Sequence, residues 1–104
     1  MNEIEKQVCT HYGVTIIEIR GKSTRRKHTD PRKTIMYMIK ISTNISYDEL
    51  GLIYNRAQSN ALKIVASASD LLMYDKTFRM NYREIESKIN PGLWIKSLGK
   101  IKEL

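Results

Sequence analysis

Cysteine, proline, phenylalanine and tryptophan are scarce in this 104-residue chain, with one, two, one and one copies. The single Cys9 cannot form an internal disulfide and fits a reducing compartment. Two prolines and five glycines give few turn signals, which favours long helices over a strand-and-turn protein. No stretch approaches the roughly 20 apolar residues of a membrane span. Met1 is followed by Asn2 and Glu3 rather than an apolar run, so no secretory signal is expected. Repeats and low-complexity segments are absent as well. A hydrophobic fraction of 41% and a charged fraction of 28% suit a globular protein with one core.

Catalytic and metal-binding patterns are missing too. His11 lies two residues from Cys9, but no third ligand accompanies them, and His28 stands apart. Cys9 has no His/Asn partner pattern and reads as a small buried hydrophobe. Gly21-Lys22-Ser23 copies the end of a phosphate-binding loop, yet the motif's first glycine falls on Ile16 and no buried strand precedes it. Neither an enzyme nor a cofactor, metal or small-molecule substrate is expected.

What the chain does have is concentrated positive charge. Residues Arg20 to Lys40 carry eight basic residues against the single Asp30, which equals the entire net charge of +7. The remaining residues balance. Such a footprint points to nucleic acid as partner.

Helical spacing and caps divide the chain into about six helices. Asn2 to His11 carries Ile4 and Val8 four apart, and Gly13 ends that helix. Thr15-Ile16-Ile17-Glu18 is a capping box opening a short helix to about Ile19. Gly21 to Thr29 has no apolar residue and reads as a basic loop. Asp30-Pro31 reads as the start of a third helix running to about Ser42, with Asp30 as cap and Pro31 in the first helical position. Ile35, Met38, Ile39 and Ser42 form its stripe, and Met36, Tyr37 and Ile41 add apolar surface, so this helix should be central. Ser46-Tyr47-Asp48-Glu49 is a second capping box, opening a helix to about Tyr54. A fifth helix spans Ala57 to Met73, with Leu62, Val65, Ser69 and Leu72 expected on its core face, supported by Ala61, Ala68 and Leu71. Asp75 caps a sixth, with Phe78, Tyr82, Ile85 and Ile89 at helical spacing. Asn90-Pro91-Gly92 stops it, and a tail with Trp94, Leu98 and Ile101 is expected to dock on the core. The expectation is one all-α domain over residues 1–104, a compact bundle with core 8–89 and tail 90–104.

The helices from Ser46 to Met73, joined by a turn of about four residues, match a helix-turn-helix. Gln58, Ser59, Asn60 and Lys63 begin the longer helix. Gln and Asn can bond adenine bidentately, and Lys reaches guanine or phosphate, so these four are the candidates for the major groove. The bland alternative is an ordinary helical hairpin with a solvated end. Lys22, Arg25, Arg26 and Lys27 of the loop are candidates for phosphate or the minor groove. Arg32, Lys33 and Lys40 are candidates for the backbone.

From about Val8 to Ile89 the chain resembles the C-terminal DNA-binding domain of the bacterial replication initiator DnaA. The resemblance rests on Val8, His11-Tyr12 and Val14 of the first helix, Gly21-Lys22-Ser23 of the loop and Pro31-Arg32 of the long helix. Thr43-Asn44-Ile45-Ser46 with Glu49-Leu50-Gly51, and Asp75 with Phe78-Arg79, complete it. It implies a Trp-repressor-like helix-turn-helix fold, double-stranded DNA as partner, a loop arginine in the minor groove and a recognition helix in the major groove. The resemblance puts Arg32 and Lys40 at that family's basic positions and Gln58 to Ala61 at its recognition positions.

The family's signature Gly-Gly-Arg-Asp-His-Thr-Thr-Val is replaced by Asn55-Arg56-Ala57-Gln58-Ser59-Asn60-Ala61-Leu62. The signature arginine falls on Ala57, with Arg56 adjacent and so a further candidate for DNA contact, and the loop arginine falls on Thr24, with Arg25 adjacent. The DnaA-box sequence is therefore not expected to be the one read. No ATPase module accompanies these residues, so the chain reads as a freestanding relative, cytoplasmic and nucleoid-associated, in replication or transcription regulation. The expectation is a non-enzymatic DNA-binding protein with no membrane partner. The alternative is a protein-interaction or regulatory module that keeps the fold and has lost base reading.

Overall fold

Side-chain caps set four of the six helix starts in the computed structural model, which describes residues 2–89. Asn2 opens α1 (Glu3–Tyr12) by accepting the Glu5 N–H, while the Glu5 carboxylate accepts the Asn2 N–H. Gly13 ends α1 at φ 65°, in the left-handed region that glycine occupies without strain. Thr15 and Glu18 form the same reciprocal box for α2 (Ile16–Arg20). Ser46 caps α4 (Tyr47–Ile53) through the Glu49 N–H, with only this forward half of the box present. Asp75 caps α6 (Lys76–Lys88) through the Phe78 N–H. The two long helices, α3 (Arg26–Ser42) and α5 (Gln58–Tyr74), begin without a side-chain cap.

α3 is the central element, packed against α1, α2, α4 and α5. It buries Ile35, Met36, Met38 and Ile39, so apolar side chains leave it in several directions, as a helix surrounded by partners requires. α6 lies on α1 and α5 and buries Phe78, Tyr82 and Ile85, followed by Ile89 at its end, in the expected stripe. The Tyr37 and Tyr82 rings meet edge to face, 5.8 Å apart, joining α3 to α6. A buried polar link joins α1 to the end of α4: the Tyr54 hydroxyl donates to Glu5 Oε2 at 3.0 Å. Glu5 thereby serves both the α1 cap and the end of α4, and neither of its oxygens is left unpaired.

Two expectations are corrected. The third helix starts at Arg26, four residues before Asp30, so Arg26 and Lys27 are helical and Pro31 is an interior residue. Asp30 does not cap; its carboxylate pairs with Arg26 one turn back, at 3.2 Å. Pro31 lacks the N–H that would reach the Lys27 carbonyl, a cost the extra turn bears because His28 and Arg32 anchor it from within. On α5 the buried residues are Ala61, Val65 and Ala68, while Leu62 is 50% exposed and Ser69 is also exposed. Ala61 and Ala68, expected only in support, thus centre the face with Val65, because small alanines let α5 lie close to α3 and α4. The expected docking of Trp94, Leu98 and Ile101 lies outside the described residues.

Asp75 joins three elements: it ends α5, caps α6 and pairs with Arg26 of α3 at 3.0 Å. The Phe78 N–H, and after it Arg26, holds its carboxyl below the usual range. A depressed carboxylate stabilises the fold above its ordinary pKa, and that stability is lost as pH falls. Asp75→Asn should therefore lower the melting temperature at neutral pH, and the gap from the wild type should narrow in melts run at progressively more acidic pH. A gap that stays constant down to the acid range would contradict this.

Candidate nucleic-acid interface

The five residues between α2 and α3, Gly21 to Arg25, form the basic loop, and neighbouring side chains pin its backbone. Arg32 is 5% exposed and spends its guanidinium on main-chain carbonyls: Ile19 at 2.7 Å, Ser23 at 3.0 Å, Gly21 at 3.2 Å and Glu18 at 3.4 Å. Burial first, and then the neighbouring Arg56, lowers its pKa from the ordinary arginine value. Arg56 reaches the same loop from the other side, donating to the carbonyls of Arg20 at 3.2 Å, Tyr54 at 2.7 Å and Gly21. Lys22 Nζ donates to the Asn55 carbonyl at 2.8 Å. Loop and helix-turn-helix turn are thus laced together, which puts the start of α5 and the basic loop on one edge of the molecule.

The turn between α4 and α5 depends on two backbone features. Asn55 is the one non-glycine residue at positive φ among the described residues, at 59°, and asparagine tolerates that conformation better than most side chains. The Arg56 N–H donates to the Gly51 carbonyl at 2.7 Å, folding the turn back over α4. Beyond it, the exposed side chains of Gln58, Ser59 and Asn60 occupy the first turn of α5. Lys63, also exposed, lies four residues after Ser59, hence on the same face. No side chain among the described residues caps this end, so the N–H groups of Gln58 and Ser59 have no side-chain acceptor there.

The cations expected on DNA divide into two groups. Arg25, Lys27, Lys33 and Lys63 have no side-chain hydrogen bond or ion pair to the protein among the described residues, and all but the half-buried Lys33 are exposed. Arg32, Arg56, Lys22, Lys40 and Arg26 are engaged. Arg32, expected on the DNA backbone, turns its donors inward onto carbonyls. Lys40 donates to the Ile45 carbonyl at 2.6 Å and lies over the Tyr47 ring at 4.5 Å, holding the α3–α4 link. Arg26 bonds Asp75 and Asp30, in that order of effect on its raised pKa. Sequence reasoning also passed over Arg20, an exposed cation at the end of α2, and the His28 contacts to Glu18 and Ser23. Arg20 was legible as part of the charge cluster; the His28 contacts had no local signal. Among the described residues no group of three or more His, Cys, Asp or Glu could hold a metal ion. Nor is any described helix long and apolar enough to cross a membrane.

The profile of the bacterial dnaA protein helix-turn-helix family matches residues 1–67, from α1 into the first part of α5. The chain belongs to this DnaA helix-turn-helix family. It is 31% identical over 88 residues to the chromosomal replication initiator protein DnaA of Bacteroides thetaiotaomicron, covering 84% of this chain and 19% of that protein. To DnaA of Deinococcus radiodurans it is 27% identical over 89 residues, 86% of this chain and 19% of that protein. The DnaA of Desulfatibacillum aliphaticivorans is 34% identical over 62 residues, 60% of this chain and 14% of that protein. The chain spans about a fifth of the length of the first two relatives. As a DnaA-like domain it is a DNA-binding helix-turn-helix domain of all-α build.

Proposed function

We propose that this domain binds double-stranded DNA with the start of α5 in the major groove and the Lys22–Arg25 loop on adjacent phosphates or in the minor groove. One observation carries the reading: the two helices without side-chain caps, α3 and α5, are the two whose starts carry Arg25 to Lys27 and Gln58 to Asn60. Open N–H groups and the positive helix end favour phosphate. Lacing by Lys22 and Arg56 holds the two starts in a fixed relation. In this reading Gln58 and Asn60 read base edges, Ser59 assists, and Arg25, Lys27, Lys33 and Lys63 neutralise phosphate. Arg32, Arg56 and Lys40 shape the surface rather than touch DNA. A cytoplasmic, nucleoid-associated role in controlling replication or transcription follows from this activity.

Selection from a random duplex library at moderate salt tests the reading. An enriched motif is expected, and Gln58→Ala or Asn60→Ala should each weaken binding to it by about 1–3 kcal/mol while leaving non-specific binding intact. With about four phosphates neutralised, log affinity should fall against log salt with a slope near −3 to −4, and Lys63→Ala should remove about one unit of that slope. Absence of binding to any duplex at low salt would sink the proposal. The alternative of a protein-interaction module draws on Leu52, 78% exposed at the end of α4 beside the altered signature. It requires that Gln58→Ala and Asn60→Ala leave DNA affinity unchanged.

A further inference from the structure

The start of α3 is five residues earlier than its sequence signals suggest, and a chain of side-chain contacts accounts for where it falls. His28 is 9% exposed and lies in the first turn of α3. Its Nε2 is 2.8 Å from Glu18 Oε2, and its Nδ1 is 2.9 Å from Ser23 Oγ. Ser23 Oγ also accepts the Arg25 N–H at 3.3 Å. Arg25 is the N-cap position that immediately precedes α3, and its guanidinium is exposed and without a protein partner among the described residues. Thr15, whose N–H and hydroxyl bond the other Glu18 oxygen, fixes the far end of the chain of contacts.

We propose that His28, held by Glu18, is a positioning residue that sets the place of Arg25 through Ser23, and so fixes the loop arginine for its DNA contact. The proposal rests on the DNA-binding reading above. The chemistry assigns the protons. Glu18, held below the usual carboxylate range first by the Thr15 N–H and next by His28, is an acceptor only. The neutral imidazole therefore carries its proton on Nε2 and presents Nδ1 as an acceptor. The Ser23 hydroxyl donates to Nδ1, which leaves its oxygen free to accept the Arg25 N–H. A doubly protonated ring keeps the same geometry, because Ser23 Oγ has two lone pairs, one for Nδ1–H and one for Arg25. The loop arginine thus stands on a rigid relay that reaches back to the α2 cap, which lowers the ordering cost of binding.

A double-mutant cycle on the full chain tests this, with affinity for a random-sequence duplex at low salt read by fluorescence anisotropy and folding checked by thermal melts. Ser23→Ala should weaken binding about five- to tenfold and lower the salt slope by about one, and Ser23→Thr, which keeps the hydroxyl, should restore both. In an Arg25→Ala background Ser23→Ala should have no further effect, since the group it positions is gone. As a readout independent of DNA, ¹⁵N shifts of the imidazole should show Nε2 protonated and Nδ1 bare in the neutral ring. Equal losses from Ser23→Ala in both backgrounds, unchanged affinity in Ser23→Ala, or the opposite tautomer would each overturn the relay. A wild-type chain that binds no duplex would instead remove the DNA reading on which it rests, so the two failures are distinct.

Discussion

Arg32→Ala should cost about 3 kcal/mol of stability, which for a domain of this size lowers the melting temperature by roughly 10–20 °C. The reason is the density of carbonyls around one guanidinium. Ile19, Gly21 and Ser23 lie within 3.2 Å of it, and these carbonyls close α2 and form the loop. Alanine leaves them without donors in a site where the arginine itself is 5% exposed, so water reaches them poorly. Arg32→Lys should recover only part of the loss, because a single ammonium on a flexible stem cannot match a planar fork that serves several acceptors at once. DNA affinity, measured well below the melting temperature, should fall only as far as the loop is disordered. An Arg32→Ala protein with an unchanged melting temperature and a salt slope reduced by about one would return this residue to phosphate contact and refute the structural assignment.

Arg32 also shows where sequence reasoning reaches its limit. Local periodicity and capping carried most of the fold. Phe78, Tyr82, Ile85 and Ile89 were readable as one stripe because each depends on residues three or four positions away, and Asn2, Thr15, Ser46 and Asp75 mark helix starts for the same reason. The fate of a cation depends on partners distant in the chain. Arg26 meets Asp75, 49 residues on; Arg56 reaches Gly21, 35 residues back; Lys22 reaches Asn55, 33 residues on. Charge counting assigns these residues to DNA because it sees positive charge and no partner. The geometry of the carbonyls that compete for them exists only after folding. The shift of α3 to Arg26 has the same origin, since Asp30-Pro31 is a strong local start signal that the remote anchors of His28 and Arg32 override. On α5 the expectation fails at Leu62 and Ser69, because leucine ranks above alanine in hydrophobicity, whereas close helix contact selects for the small Ala61 and Ala68. That Gln58, Ser59 and Asn60 are exposed was legible because polar residues at a helix start need no tertiary partner.

Gly51→Ala should destabilise the domain by about 2 kcal/mol and lower the melting temperature by roughly 10 °C, the second large effect. A Cβ at this position would overlap the Arg56 carbonyl oxygen and lie 3.3 Å from its carbon and 3.4 Å from the Ala57 carbonyl carbon. All of these are backbone atoms, so no flexible side chain can yield. The turn must move as a unit, and with it the Arg56 N–H bond to the Gly51 carbonyl. Because the Arg56 side chain also holds the carbonyls of Arg20 and Gly21, displacement of the turn loosens the basic loop. Folded Gly51→Ala protein should therefore bind DNA more weakly than its melting curve alone explains, with losses at the start of α5 and at the loop together. The strain at Asn55 offers a control in the same turn. At φ 59° it should accept glycine at little cost, whereas Asn55→Val should cost about 1–2 kcal/mol, because a β-branched side chain resists the left-handed region. If Gly51→Ala leaves the melting curve unchanged while Asn55→Val lowers it, the turn is held by its dihedrals and not by the close approach of Arg56 to α4. If both fall, as the geometry requires, the helix-turn-helix owes its angle to a glycine in α4 that faces backbone instead of side chains.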